Sequence, residues 1–268
     1  MNKIAFLGAG NMASAIAEGM LAKNLVTPGD LCCFSPSGQS AAKLAVRTGI
    51  TQAGSLVELL AGADILIIAF KPQHLSLIDP TLNQLAQGKL VISVLSGKSL
   101  ANIKRVLPLA RNWVRAMPNT PGRIGAGITA WCSHDPLAPS DLDKVNNLLG
   151  ALGRTIQLEE DQMDAVTAVS ASGSGFVFEF ASALLESAIN VGLKPATAKI
   201  LVVETLLGSA RLMARTDEDP NILRDQVTSP NGTTLAGLNK MKAGNFRGLM
   251  RDAVSAAKIR AGELSQET

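Results

Sequence analysis

The sequence predicts an α/β fold through about residue 160 and an all-helical region after it, and three observations predict this. Short apolar runs alternate with helical patterns in the first half. A glycine-rich turn, Gly8-Ala9-Gly10, joins the first run to the first helical pattern. After about Gln162 strand-like runs disappear and apolar residues recur at helical spacing. The expected domains are 1–160 and 161–268. A chain of 268 residues suits one large or two modest domains.

Lys3 to Leu7 reads as the first strand, the glycines as its turn, and the stretch through Ile16, Met20 and Leu21 as a helix stopping near Asn24. Leu31 to Phe34 is a second strand, followed by a turn at Ser35-Pro36-Ser37-Gly38 and a short helix over Ser40 to Arg47. Asp64 to Phe70 is a continuous apolar run, as expected of a strand buried on both faces. Leu90 to Leu95, Trp113 to Met117 and Gly127 to Trp131 are further strands, with helices over Ser55 to Leu60, Leu75 to Ala86 and Ser99 to Leu107. This alternation predicts a parallel sheet covered on both faces. In the second half, helices are expected over Gly175 to Val191, Pro195 to Arg215, Thr234 to Ala243 and Phe246 to Glu263. Phe176, Phe178, Phe180, Leu184, Leu185 and Ile189 nearly encircle the first of these. A helix apolar all round is a buried one, and a small domain has difficulty burying it alone. The expectation is a homodimer or larger homo-oligomer built through the helical half.

Composition narrows the function classes. Hydrophobic residues make up 47% of the chain and the net charge is +3, so a sizeable core is available and the pull toward nucleic acid is weak. Aromatics are 3%, with no Tyr, which leaves little for base stacking. Three cysteines, two of them adjacent, and two histidines form neither a disulfide framework nor a metal site. A reducing, cytoplasmic setting and no membrane span are expected. The longest uncharged stretch, Ala165 to Phe178, falls short of the roughly 20 apolar residues a span needs. Lys3 with the apolar run before Ala13-Ser14-Ala15 imitates a signal peptide, but the same residues fit the strand and glycine turn better.

Gly8-x-Gly10-x-x-Ala13 matches the Rossmann-type dinucleotide fingerprint in its Ala-ending variant. The first glycine permits the turn and the second lets backbone approach a pyrophosphate. The small third residue lets helix pack on strand, with the phosphates facing N–H groups at the helix start around Asn11 and Met12. At the end of the second strand, where NAD sites place a carboxylate, the chain reads Phe34-Ser35-Pro36-Ser37. NADPH is therefore expected over NADH, which stays possible. Ser35 and Ser37 would bond a 2′-phosphate, and Lys43 or Arg47 would add charge. The loops Ala69-Phe70-Lys71-Pro72 and Ser93-Val94-Leu95-Ser96-Gly97 come after buried strands and should line the cofactor. For Lys71 a solvated loop lysine is an even alternative.

On the substrate side, Ser170-Ala171-Ser172-Gly173-Ser174-Gly175 opens a long helix, where small residues suit either a ligand or a helix contact. Ser229-Pro230-Asn231-Gly232-Thr233-Thr234 reads as a tight turn with a hydroxyl-bearing helix start. Its N–H groups from Gly232 to Thr234, with the Ser229 hydroxyl, would bind a carboxylate. The plainer alternative is that Thr233 or Thr234 is only an N-cap. His74 and His134 read as ordinary surface residues. Residues 176 to 193 contain no Lys, so a hydroxy-acid dehydrogenase would lack a base. Reduction of a carbon–nitrogen double bond needs none as strong.

With these residues in view, the chain resembles a pyrroline-5-carboxylate reductase nearly end to end. The resemblance rests on Phe6 to Met12, Ala69 to Pro72, Met117-Pro118-Asn119-Thr120-Pro121, Asp164 to Thr167 with Ser172 to Gly175, and Asp225 to Pro230, and closes over Gly248 to Leu264. It implies a Rossmann domain, a helical dimerisation domain, and NADPH-dependent reduction of 1-pyrroline-5-carboxylate to L-proline. It places Ser229, Gly232, Thr233 and Ser172 at the substrate, and Thr234 at the ring nitrogen as the catalytic hydroxyl. It places Gly8, Gly10, Asn11, Met12, Ser35, Ser37, Ala69, Lys71, Pro72, Leu95, Ser96 and Asn119 along the cofactor, with no metal. Phe176-Val177-Phe178, Asn231, Gly54 and Leu95 depart from the family pattern and reshape pocket walls more than anchors. The alternatives are a reductase of another cyclic imino acid, a catalytically weak NADPH-binding regulatory protein, and a β-hydroxyacid dehydrogenase.

Overall fold

The computed structural model describes residues 3–266. The chain divides into two compact units, one running to Ser172 and resuming at Ala257, the other Gly173–Ala256.

The first unit is built on an eight-stranded sheet: β1 Lys3–Leu7, β2 Leu31–Phe34, β3 Thr51–Gln52, β4 Ala63–Ile68, β5 Leu90–Ser93, β6 Asn112–Pro118, β7 Gly127–Ser133 and β8 Gly153–Gln157. Their spatial order is β3-β2-β1-β4-β5-β6-β7-β8, so the order reverses between β1 and β4. Pairing is parallel from β3 through β6, with Phe6 set between Cys33 and Ile67. An expected all-parallel sheet is corrected at one edge. β7 runs antiparallel to β6, with Met117 opposite Ala130, and β8 then runs parallel to β7. The segment between β6 and β7 holds only a 3₁₀ turn, Thr120–Ile124, too short for a parallel crossover.

Helices cover both faces. They are α1 Asn11–Ala22, α2 Gln39–Thr48, α3 Leu56–Leu60, α4 Thr81–Leu85, α5 Leu100–Val106 and α6 Pro139–Gly150. Side chains alternate along each strand, so one apolar run feeds two cores. Ile4, Phe6, Ile65, Ile67, Ile92 and Val114 pack with Ile16, Met20, Leu44, Val145 and Leu149 of α1, α2 and α6. Leu7, Leu66, Ile68, Val91 and Trp113 pack on the other face with Leu59, Leu82, Leu100 and Ile103 of α3 to α5. A single helix over Leu75 to Ala86 is corrected to a 3₁₀ turn Pro72–Leu77 and the separate α4. Pro80 has no N–H to continue a helix, and the Asp79 carboxylate accepts from Thr81 N and Oγ1 instead.

The last strand ends at Gln157, and α7, Met163–Val166, leads through a π turn, Thr167–Ala171, into α8, Ser172–Asn190. The second unit continues with α9 Pro195–Thr216, α10 Pro220–Gln226, α11 Thr233–Ala243 and α12 Phe246–Gln266, whose last turns belong to the first unit. The helical run Glu160–Asn190 outlasts the apolar stretch read from the sequence, and by length and composition it could cross a membrane. Large apolar side chains remain exposed in this unit, among them Phe178 (59%), Ile200 (65%), Leu201 and Val203. The single chain thus leaves open the surface that a helix apolar all round was expected to bury.

Candidate active site

The order reversal between β1 and β4 opens a crevice at the carboxyl ends of the strands, where open α/β sheets bind ligands. Gly8 turns there with φ +100°, and a Cβ on it would lie 2.6 Å from the Ala69 and Phe70 backbone. Only glycine closes β1 this near the β4 loop. Gly10 is the N-cap of α1, no side chain caps that helix, and a Cβ on Gly10 would meet nothing within 4 Å. The N–H groups of Asn11, Met12 and Ala13 have no partner among the described residues, because the first internal bond is Ser14 N–H to Gly10 O. Unsatisfied donors at a helix start, with open space in front, suit a pyrophosphate. Ala13 is fully buried and lets α1 lie on the sheet.

Beside the turn lies a cleft of about 450 Å³ walled by Leu7, Gly8, Phe34, Pro36, Leu56, Phe70, His74 and Leu82, among others. Its mostly apolar walls suit a flat heteroaromatic ring. No carboxylate stands at the end of β2, where the chain turns through Ser35 and Ser37. Ser35 is buried, and its Oγ accepts from Ala41 N–H (3.3 Å), anchoring α2, while Ser37 is exposed. Arg47 is held by Glu18 at 2.6 Å, and Lys43 of α2 has no partner among the described residues. Lys71 is exposed at the start of the 3₁₀ turn, behind half-buried Ala69 and ahead of half-buried Pro72. Leu95 is buried with its N–H on Ser93 Oγ (3.3 Å), and Ser96 is half-buried. Asn119 holds the β6–β7 connection, its Oδ1 accepting from Ile128 N–H (3.0 Å). His74, read as a surface residue, is exposed and stands on the cleft wall. His134 is bound elsewhere, 2.7 Å from Lys104 Nζ and edge-on to Trp113.

In the second unit the turn before α11 has the geometry of an anion cradle. Asn231 takes φ +58°, a left-handed conformation that Asn tolerates. Gly232 is the N-cap of α11, and a Cβ on it would collide with Ser229 Oγ. Neither threonine is the cap, and no side chain caps this helix. One detail is corrected: Gly232 N–H donates to Ser229 O (3.0 Å) and closes the turn. The donors left without a partner among the described residues are the N–H groups of Thr233, Thr234 and Leu235. Thr233, Thr234 and Ser229 are exposed at this turn, so their hydroxyls are open to a ligand. Ser172 stands half-buried in the first unit, directly after the π turn.

Sequence reasoning passed over one cation. Arg115, in mid-strand on β6, is 5% exposed and pairs with Asp164 (2.9 Å) and Glu160 (3.5 Å). The signal was available, since an arginine inside Asn-Trp-Val-Arg-Ala-Met must bring partners with it. The cysteines are chemically quiet. Burial pushes the Cys33 thiol up to about 11 and Cys132 up to about 12.

Comparison with known proteins finds related sequences and related folds across the chain. A family model for pyrroline-5-carboxylate reductase dimerisation matches residues 160–264, and one for coenzyme F420-dependent NADP oxidoreductases matches residues 3–97. The pyrroline-5-carboxylate reductase of Synechocystis sp. is 35% identical over 265 residues, covering 99% of both chains. The solved pyrroline-5-carboxylate reductase of Coxiella burnetii superposes with a TM-score of 0.90 at 32% identity, covering 99% of each chain. The pyrroline carboxylate reductase of Plasmodium falciparum, solved with NADP bound, superposes at 0.89 with 28% identity, covering 99% of this chain and 98% of that one.

Proposed function

This chain belongs to the pyrroline-5-carboxylate reductase family, and from that premise we infer that it reduces 1-pyrroline-5-carboxylate to L-proline with NADPH. The observation that carries the reading is the start of α11, where three hydroxyls and three first-turn N–H groups stand free of any capping role. Ser229, Gly232 and Thr233 hold the substrate carboxylate, whose charge is favoured at a helix N-terminus. Thr234 Oγ accepts from the protonated ring nitrogen and orients it, and Ser172 contributes to the same substrate. NADPH fits the residues at the sheet crevice. Gly8, Gly10, Asn11 and Met12 receive the pyrophosphate, and Ser35 and Ser37 with Lys43 receive the 2′-phosphate. Ala69, Lys71, Pro72, Leu95, Ser96 and Asn119 line the rest of its length. Bound NADPH supplies a hydride to the imine carbon, and the nitrogen, protonated from solvent, becomes the secondary amine. The protein's contribution is to hold both reactants in one geometry, a service worth up to about 7–11 kcal/mol.

The exposed apolar face of the second unit pairs with a second copy in a homodimer, and the protein works in the cytoplasm. Glu160–Asn190 serves as an interface helix in this reading: the serines and glycines from Ser170 to Gly175 interrupt it, and the dimerisation model spans it.

The test is oxidation of NADPH with 1-pyrroline-5-carboxylate, run beside NADH and beside a six-membered cyclic imino acid. Turnover fastest with NADPH and the five-membered ring is expected. NADPH binding without turnover on any imine would reject the assignment in favour of a regulatory protein.

A further inference from the structure

Arg115 is a buried cation on a mostly apolar sheet face, flanked on its strand by Trp113 and half-buried Met117 and placed between buried Ser93 of β5 and Cys132 of β7. A buried charge is costly unless it is paired and hydrogen-bonded. Arg115 meets that condition through two carboxylates that tie together separate parts of the first unit. Asp164 lies in α7, one turn before the π turn. Glu160 reaches back to α5, its Oε1 accepting from Leu100 N–H at 2.6 Å, at the end of the loop that carries Leu95 and Ser96. The last turns of α12 close the same place. Gly97 leaves room for Leu264, and Gly262 lies beside the Asp164 carboxylate.

The π turn makes the setting of this junction matter. Ser172 N–H bonds Thr167 O, a five-residue reach, while Thr167 Oγ1 donates to the Met163 carbonyl at 2.9 Å. One residue inserted into a helix rotates every later side chain by about 100°, and such turns gather at functional sites. Ser172 is the first residue after it.

We propose that Arg115 is a positioning residue for the reduction: through Asp164 and Glu160 it fixes the π turn Thr167–Ala171, and so the setting of Ser172, against β6, while Glu160 also holds Leu100 at the end of the Leu95–Ser96 loop. The proposal rests on the functional reading above, in which Ser172 meets substrate and that loop meets cofactor. Arg115 touches neither reactant.

The experiment compares wild type with Arg115→Met, Arg115→Lys and Asp164→Asn below their unfolding temperatures. It reads kcat and imine KM, NADPH affinity by fluorescence, and amide hydrogen exchange across residues 163–172. In Arg115→Met, kcat should fall by about 10- to 100-fold, the cost of a small misplacement, with NADPH affinity unchanged and exchange at 163–172 faster while that of the β1 and β4 amides is unaltered. Arg115→Lys should recover part of both effects. If Arg115→Met does not fold, Asp164→Asn carries the same comparison. Unchanged kcat/KM overturns the proposal, and so does slowed catalysis with unaltered exchange at 163–172. Absence of wild-type turnover on the imine rejects the functional reading instead, and the exchange data then decide the positioning alone.

Discussion

At the scale of single residues, two predictions separate chemistry from scaffolding. Thr234 lies at the second position of α11, where its hydroxyl is free of any cap. Thr234→Ala should lower kcat by on the order of 10²-fold and leave NADPH affinity intact in a fluorescence titration, because the cofactor residues lie on other elements. The cysteines give the opposite case. Thiols raised to about 11 and about 12 by burial hold almost no thiolate at neutral pH. The native protein should therefore resist a thiol-disulfide reagent at pH 7, and all three thiols should react once urea unfolds it. Fast reaction of the native protein would show that the first unit opens readily. The glycine fingerprint was legible in the sequence because Gly8 is an obligate left-handed position packed on the β4 loop. Ser35 was legible only in part. Its place in the turn could be read, but its bond to the start of α2 depends on how the turn folds back.

At the scale of elements, charge ties the starts of two inner strands, β4 and β6, to α6. Arg111, at the head of β6, bonds both Asp64 and Asp141, and Lys144 of α6 joins the same carboxylates. The Arg111 guanidinium, ahead of Lys144, holds the Asp141 carboxyl below its ordinary value despite burial. A carboxyl depressed in the folded state adds stability above its unfolded pKa, near about 3.9, and loses it as pH falls through the folded value. The urea midpoint should thus drop with acidification below about pH 4. Asp141→Asn should flatten that drop, and an unchanged pH profile would remove Asp141 from the acid response. The elements themselves read well from sequence where the apolar run was long, as at β4. They read poorly where short polar segments decide the outcome. β3 is two exposed residues, β8 is largely exposed, and the break before α4 is set by one proline. The reversal at β7 was hidden because strand direction depends on the length of a connection, and not on the composition of the strand.

At the scale of the whole molecule, the helical unit shows more apolar surface than a lone chain keeps in water. Phe178, Ile200, Leu201 and Val203 belong to a unit matched by a dimerisation model. Light scattering at micromolar concentration should give at least twice the mass of one chain. Leu201→Arg should shift the protein toward monomer or lower its solubility, since a charge buried in such an interface would go unpaired. A monomeric wild type would refute the interface. This surface was foreseeable, since six large side chains around one helix have no other outlet. Which faces pair was not, because that depends on the packing of helices far apart in the chain.

Leu264 rests on Gly97, and the segment Ala257–Gln266 completes the first unit. The ribosome makes Gly97 long before it makes Leu264. A nascent chain can therefore form its sheet early, yet the loop after β5 must wait, uncovered, until the helical unit has also been synthesised. A chain truncated before Ala257 should therefore keep the fingerprint turn in full but leave the loop after β5 uncovered at Gly97, and limited proteolysis should cut it there faster than the full chain.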